Sequence, residues 1–299
     1  MRPIAFLTLE DRTAYVIDDA LAIDELGRRG VKVDEIPWRR AGTDWRAYDG
    51  VVIRTTWDYQ RDLGAFLGLL DELERMSIPL ANRASLVRWN AHKTYLVDLA
   101  ARRVPIVPTR WGRDMSAEDV RALPGSLGTA ECVLKPAVGA NAEDTYRLGA
   151  GIGEREANEI ATRFAGREWM AQPFVSSIVR DGEVSLFYFA GIFSHAIVKR
   201  PKPLDFRVQE EHGASIEPWT VEEEASRAAR AVLAALGEPP LQARIDLVRL
   251  DDGTLALMEL EAIEPSLYFR MHEHAARNFA DAVESWLEAR ADASDRPRR

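Results

Sequence analysis

Gln242-Ala243-Arg244-Ile245-Asp246-Leu247-Val248-Arg249-Leu250-Asp251-Asp252-Gly253-Thr254-Leu255-Ala256-Leu257-Met258-Glu259-Leu260-Glu261 is the most informative stretch of the chain. Asp252-Gly253 is a strong two-residue turn signal between two alternating runs, so the stretch reads as a β-hairpin. With those two residues as the loop, Asp251 pairs with Thr254, Asp246 faces Glu259 and Arg244 faces Glu261. Side chains alternate faces along a strand, which places Ile245, Leu247, Met258 and Leu260 together on the reverse, apolar face. Three carboxylates around one arginine leave two uncompensated negative charges, and directly opposed carboxylates destabilise a hairpin unless something offsets them. A hard divalent cation would do so; Mg²⁺ takes few carboxylates together with phosphate oxygens. The same residues also read as a cross-strand salt-bridge set on a solvated face. The apolar reverse face and the following Glu264-Pro265-Ser266 loop favour the metal.

Upstream, the order of elements is that of an α/β and α+β protein. In the first ~85 residues strands alternate with helices, the pattern of a parallel sheet. Strands are expected at Ile4–Leu7, Val31–Ile36, Val51–Ile53 and Pro79-Leu80. Helices are expected at Asp18–Arg29 and at Leu63–Met76, the latter with Phe66, Leu70 and Leu73 on one stripe. The middle opens with a helix over Ala91–Arg102, followed by a Pro105/Pro108 connection. Strands then fall at Glu131–Lys135, Thr145–Leu148 and Trp169–Phe174, with a helix at Glu154–Phe164. The last third adds strands Val184–Phe189 and Phe193–Lys199 around Ala190-Gly191. A helix over Val221–Leu236 turns Ala228, Val232 and Leu236 inward, the hairpin follows, and a final helix spans Ala275–Leu287. Domains are expected at residues 1–88, 89–175 and 176–299, and the tail from Arg290 is expected to fray.

Composition narrows the class. The 299 residues carry 39 Lys and Arg against 48 Asp and Glu, a net charge of −9, which argues against a general nucleic-acid binder. A single cysteine, Cys132 in an apolar run, excludes an internal disulfide and a Cys-based zinc site, and reads as a core thiol. No apolar run approaches the ~20 residues of a membrane span, and Pro3–Leu9 is a poor signal region, so the expectation is a cytoplasmic protein without a membrane partner. The sequence leaves a homo-oligomer open. Gly149-Ala150-Gly151-Ile152-Gly153 breaks the dinucleotide fingerprint at Glu154, and no Walker loop or nucleophile elbow occurs. His272 and His274 lack a third ligand nearby.

Other residues point to a nucleotide. Lys135 ends an apolar, internal-looking strand, and a lysine buried there needs an anion such as phosphate. The loop Gly139–Asp144 follows, whose backbone N–H groups could form an anion-binding nest, though it holds one glycine. Gln172-Pro173-Phe174-Val175 reads as a plain core strand or as the lining of an adenine slot, and Glu183 as a strand-start surface charge or an acceptor for ribose hydroxyls. Trp57 and Tyr59 read as core aromatics or, with Arg54 and Asp58, as substrate contacts from the N-terminal domain.

Taken in order, Lys93, Lys135-Pro136, Gln172–Val175, Asp181-Gly182-Glu183, Lys199, Arg207, Arg244-x-Asp246 and Glu259-x-Glu261 resemble the ATP-grasp superfamily, near prokaryotic glutathione synthetase. Arg54–Tyr59, Lys135–Val138 and Glu259–Ser266 resemble the subgroup of cyclo-ligases acting on O-ureido-D-serine in D-cycloserine biosynthesis. The resemblance implies an ATP-grasp fold with an N-terminal α/β (pre-grasp) domain and two grasp subdomains, and ATP and Mg²⁺ as cofactors. It implies Lys93 and Lys135 on the phosphates, Gln172–Val175 on adenine, and Glu183 on ribose. Lys199 and Arg207 would lie near the γ-phosphate or substrate, Asp246, Glu259 and Glu261 on the metal, and Ser266 at an amino-acid-like substrate. Arg244 or Arg207 would stabilise an oxyanion formed from an acyl phosphate. Two departures stand out: Glu261 occupies a position where glutathione synthetase has Asn, and the Gly139–Asp144 loop has fewer glycines. An intermolecular carboxylate–amine ligase and a nucleotide-binding module without catalysis are the competing readings.

Overall fold

The computed structural model describes residues 2–294. Three sheets follow one another along the chain. The first is built from β1 (Ile4–Thr8), β2 (Val33–Pro37), β3 (Gly50–Thr55) and β4 (Leu80–Ala81) in the order β2-β1-β3-β4, all parallel. β1 and β3 are buried along their whole length, which explains why both read as unbroken apolar runs rather than alternating ones. Helices α1 (Asp19–Arg28) and α2 (Leu63–Arg75) make the connections. α2 starts where the Asp62 carboxylate accepts from the Ala65 N–H at 3.1 Å, and it buries the expected stripe Phe66, Leu70 and Leu73.

A separate helix that was not expected, α3 (Ala84–Asn90), comes first, and the helix expected over Ala91–Arg102 begins later, as α4 (Tyr95–Ala101). Lys93 sits in the break between them, where its N–H donates to the Ala137 carbonyl at 2.8 Å. The second sheet is antiparallel: β5 (Arg110–Arg113), β6 (Glu131–Pro136), β7 (Tyr146–Gly149) and β8 (Glu168–Pro173), ordered β5-β8-β6-β7. α5 (Ala117–Ser126) and α6 (Glu154–Arg163) cover it, burying Val120, Leu123, Ile160 and Phe164 against Leu134 and the fully enclosed thiol of Cys132. β5 and α5 were not anticipated. Pro124 and Gly125 in the last turn of α5 mask a helix that is nevertheless closed at its start by a reciprocal Ser116–Asp119 capping box.

The third sheet follows the short α7 (Ser177–Arg180): β9 (Glu183–Phe189), β10 (Ile192–Arg200), β11 (Ser215–Pro218), β12 (Gln242–Arg249) and β13 (Leu255–Glu261), in the order β11-β10-β9-β12-β13. α8 (Glu223–Ala235) packs on one face through Ala225, Ala229 and Val232; Val232 is buried as expected, and the expected Ala228 and Leu236 flank the stripe, partly buried against the same core. α9 (Ala275–Ser294) crosses back to the first sheet, where Phe279 meets Phe6 with ring centroids 6.2 Å apart. It stays helical through Ser294, past the expected fraying point; residues 295–299 of that tail lie outside the described residues. Among the described residues no helix is long and apolar enough to cross a membrane.

Arg244 pairs with Glu261 and Asp246 with Glu259, as expected. The loop is longer than expected, however. Arg249 pairs with Leu255 and the Leu250 N–H donates to the Thr254 carbonyl, an offset of one residue that a β-bulge at Met258 restores. The bulge turns Met258 off the apolar face on which Ile245, Leu247 and Leu260 remain, and into a cavity.

Candidate active site

That cavity opens between the second and third sheets, with the N-terminal domain as its far wall. β9, β10, β12 and β13 supply its floor. The Asp246 carboxylate accepts from the Ser185 hydroxyl at 2.6 Å, from Arg244 at 2.9 Å and from Lys199 at 3.2 Å. Lys199 also contacts Glu183 at 2.6 Å. Glu261 pairs with Arg244, and Glu259 with Lys93.

The charges are unevenly matched. Burial works to raise the Asp246 carboxyl, but Arg244 and Lys199 overcome it and hold the group below the ordinary carboxylate range. Lys93 and Lys135 likewise keep Glu259 low against its burial. Glu261 is pushed up to about 7 by burial, with Asp246 and Glu259 adding repulsion that Arg244 does not cancel. Glu264 is raised well above its ordinary value by burial and by Glu261. Lys135 is lowered by burial; among the described residues it forms no ion pair, and its amine touches only the Met258 sulfur at 3.8 Å. One end of the floor therefore has carboxylates short of a cation, and the other an ammonium short of an anion. Among the described residues no three carboxylate, histidine or cysteine side chains are gathered into a metal cage of their own, but a divalent metal that brings phosphate oxygens with it satisfies both demands, so the residues present fit Mg²⁺ arriving with a nucleotide.

Lys93, Lys135, Gln172, Pro173, Phe174, Val175, Glu183, Lys199, Arg207, Arg244, Asp246, Glu259, Glu261, Trp57, Tyr59 and Ser266 all line this one cavity. Gln172 is fixed by a 3.0 Å bond from its amide to the Thr109 hydroxyl, and Arg147 lies over the Phe174 ring at 3.7 Å. Arg207 is held by Asp205 at 2.8 Å. Trp57 donates its indole N–H to the Glu264 carbonyl at 2.8 Å. The loop expected over the phosphates bends through left-handed backbone at Asn141, Ala142 and Asp144 rather than at a glycine, and the Asn141 amide donates to the Trp57 carbonyl at 3.1 Å.

Two expected substrate contacts lie elsewhere. Arg54 is 1% exposed, bonded to Asp19 at 2.7 Å and to the Gln242 side chain at 2.7 Å, outside the cavity. Asp58 accepts from the Trp38 indole at 2.6 Å and faces Arg39. Asp19 on α1 and Gln242 on β12 absorb the arginine, and no local pattern around residue 54 signals partners 35 and 188 positions away. Conversely, Glu264, Tyr268 and Met258 line the cavity and were not singled out as site residues. Glu264 was visible only as part of the Glu264-Pro265-Ser266 loop.

Residues 4–82 match the family described as D-cycloserine synthetase DcsG, N-terminal domain. Over 274 residues, 85% of this chain and 88% of the relative, the sequence is 31% identical to the cycloserine biosynthesis protein DcsG of Streptomyces lavendulae. The chain belongs to the DcsG family. The crystal structure of D-cycloserine synthetase DcsG matches with a TM-score of 0.82 at 29% identity, covering 95% of this chain and 99% of that one. More distant structures share the fold. D-alanine–D-alanine ligase from Bacillus anthracis complexed with ATP has a TM-score of 0.69 at 16% identity, covering 98% and 100%. The ATP-grasp ligase PsnB, complexed with minimal precursor, Mg and ADP, has 0.62 at 14%, covering 95% and 98%. The fold expected from the sequence, ATP-grasp behind an N-terminal α/β domain, is thus the fold observed. As a member of the DcsG family the chain is an ATP-dependent ligase that forms C–N bonds.

Proposed function

We propose that the enzyme closes the ring of D-cycloserine from O-ureido-D-serine. In this reading ATP phosphorylates the substrate carboxylate, and the ureido nitrogen bonded to oxygen attacks the acyl phosphate within the same molecule. A C–N bond forms, phosphate leaves, and one water removes the carbamoyl group as CO₂ and NH₃. The observation that carries the reading is the single cavity in which Lys93, Lys135, Asp246, Glu259 and Glu261 meet Trp57 and Tyr59 of the far wall, with Ser266 beside Arg244 on the floor. Nucleotide-binding and amino-acid-binding chemistry face each other there. The DcsG relationship supports the substrate assignment.

Asp246, Glu259 and Glu261 would hold Mg²⁺. When bound, it supplies neutralisation of charge on the β- and γ-phosphates. The Lys93 and Lys135 amines bind phosphate oxygens, Gln172 to Val175 flank the adenine, and Glu183 accepts from the ribose. Arg244, with Arg207 also lining the cavity, donates to the oxyanion of the tetrahedral adduct. Lys199 fixes Asp246 and Glu183 in place between them. Intramolecular attack needs little further loss of entropy once the substrate is bound in the right rotamer.

The test is a mass-spectrometric assay of purified enzyme with ATP, Mg²⁺ and O-ureido-D-serine. D-cycloserine and ADP should form without any added amine. Product only when an amine acceptor is supplied would make the protein an intermolecular ligase. No ADP with any amino acid would make it a non-catalytic nucleotide-binding module.

A further inference from the structure

The third sheet and the loop after it bring five buried or half-buried carboxylates to the cavity. Glu183 and Asp246 share Lys199, Asp246 and Glu261 share Arg244, and Glu259 has Lys93. Glu264 differs. Among the described residues no lysine, arginine or histidine pairs with it, and its side chain makes no hydrogen bond.

Yet its place is built. Its carbonyl is fixed by the Trp57 indole, the next carbonyl, that of Pro265, accepts from Arg54, and Pro265 itself restrains the backbone at Glu264 to extended geometry. The side chain is half-buried in the company of Trp57, Tyr59, Ser266 and Tyr268. A half-buried carboxylate on a fixed backbone, lining a cavity shared with aromatic side chains and holding no ion-pair partner among the described residues, is suited to an ammonium group, which offers charge-assisted hydrogen bonds to its oxygens.

We propose that Glu264 binds the α-ammonium of the amino-acid substrate and thereby turns the adjacent carboxylate toward Arg244 and the lysines. The proposal rests on the reading that an amino acid is activated in this cavity. It makes the enzyme selective for carboxylates that carry a neighbouring ammonium, and it assigns that selectivity to one residue.

A cycle of two proteins and two ligands tests it. O-ureido-D-serine and its des-amino analogue, 3-(ureidooxy)propanoate, are compared on the parent enzyme and on Glu264→Gln, which keeps the side-chain shape. Binding is measured by calorimetry with ADP and Mg²⁺ present, and kcat/KM is measured with ATP. The parent should prefer the ammonium-bearing ligand by roughly 100-fold and the variant by no more than about threefold, a loss of coupling that additive effects cannot produce. ADP affinity should stay within about twofold, which also shows that the variant is folded. Equal discrimination by both proteins overturns the proposal. So does a variant weakened toward Mg·ADP but not toward the amino acid, because Glu264 would then act on the metal. Ring closure by the parent with unchanged discrimination in the variant removes Glu264 and leaves the cyclo-ligase standing. Lost discrimination in binding without any ring closure removes the cyclo-ligase and leaves the ammonium site.

Discussion

Two arginines, Arg54 and Arg244, are both held almost out of water, and they do opposite things. Arg54 is matched by one carboxylate, Asp19, and one amide, Gln242, with the rings of Phe269 and Phe279 within 5.9 Å of its guanidinium. Its charge is cancelled and its surroundings are sealed. Arg244, two residues beyond Gln242 on β12, divides itself between Asp246 and Glu261 and borders open space. With Lys199 shared between Asp246 and Glu183, two positive charges there answer three negative ones, and the shortfall faces the cavity. Burial alone therefore does not mark a functional ion pair. What marks it is an imbalance left where a ligand can enter.

The sharpest way to break the contrast is to remove the excess charge. Asp246→Asn and Glu259→Gln should each reduce ATP turnover by at least about a thousandfold while the protein stays folded, measured by ADP release and by circular dichroism. Turnover close to the parent in both variants would sink the metal assignment. On the sealed side the pattern reverses. Arg54→Met strands Asp19 without its cation and should cost roughly 3–5 kcal/mol of stability in urea unfolding, with kcat retained at low temperature. A normal stability with a large rise in amino-acid KM would instead return Arg54 to the substrate.

A third test uses pH. His195 is 2% exposed, stacked on Phe187 at 4.2 Å, with its ring nitrogens at 3.0 Å from the Ser194 hydroxyl and the Leu267 carbonyl. Burial lowers it from the usual 6.5 to about 4. The unfolded chain therefore binds this proton more readily than the folded one between those values. The contribution of His195 to stability should be full above pH 6.5 and fall by about 3 kcal/mol as pH drops toward 4, while Glu261, raised to about 7, contributes with the opposite sign. His195→Gln should remove that loss, so that between pH 6.5 and 4 the variant gains stability relative to the parent; a slope unchanged by the substitution would show that His195 does not contribute to it. The smallest effect is expected at the far wall. Trp57→Phe deletes the indole donor to the Glu264 carbonyl and should raise the amino-acid KM severalfold, a change of about 1 kcal/mol, with ATP KM unaltered.

Much of this contrast could be read from the chain. Alternation along Arg244–Asp246 and Glu259–Glu261, with one turn signal, was enough to put the carboxylates opposite each other. The apolar run before Lys135 correctly marked an internal strand, since β6 lies between β8 and β7. What could not be read was set by distance in sequence. Arg54 and Asp58 look like equals of Trp57 and Tyr59 until α1, β12 and Trp38 arrive beside them. Glu264 stayed hidden for a related reason: having no partner is a property of the assembled cavity, and no spacing in a sequence reports it. The composition of Ala91–Thr94 favours helix as much as that of Tyr95–Ala101, but these four residues join two helices instead, where the Lys93 N–H is taken by a tertiary bond to the Ala137 carbonyl.

The bulge in the last hairpin makes Met258 a residue the ladder does not require. Deleting it would let Glu259 stay opposite Asp246 and let Leu257 stay opposite Leu247, with regular pairing between them. The thioether beside the Lys135 amine would go, together with its packing against Val107, Val175 and Ile178. That patch of wall is mechanically uncoupled from the carboxylates next to it, so its size and polarity can be redrawn, by mutation or by descent, to suit a differently shaped ligand without disturbing the charged floor.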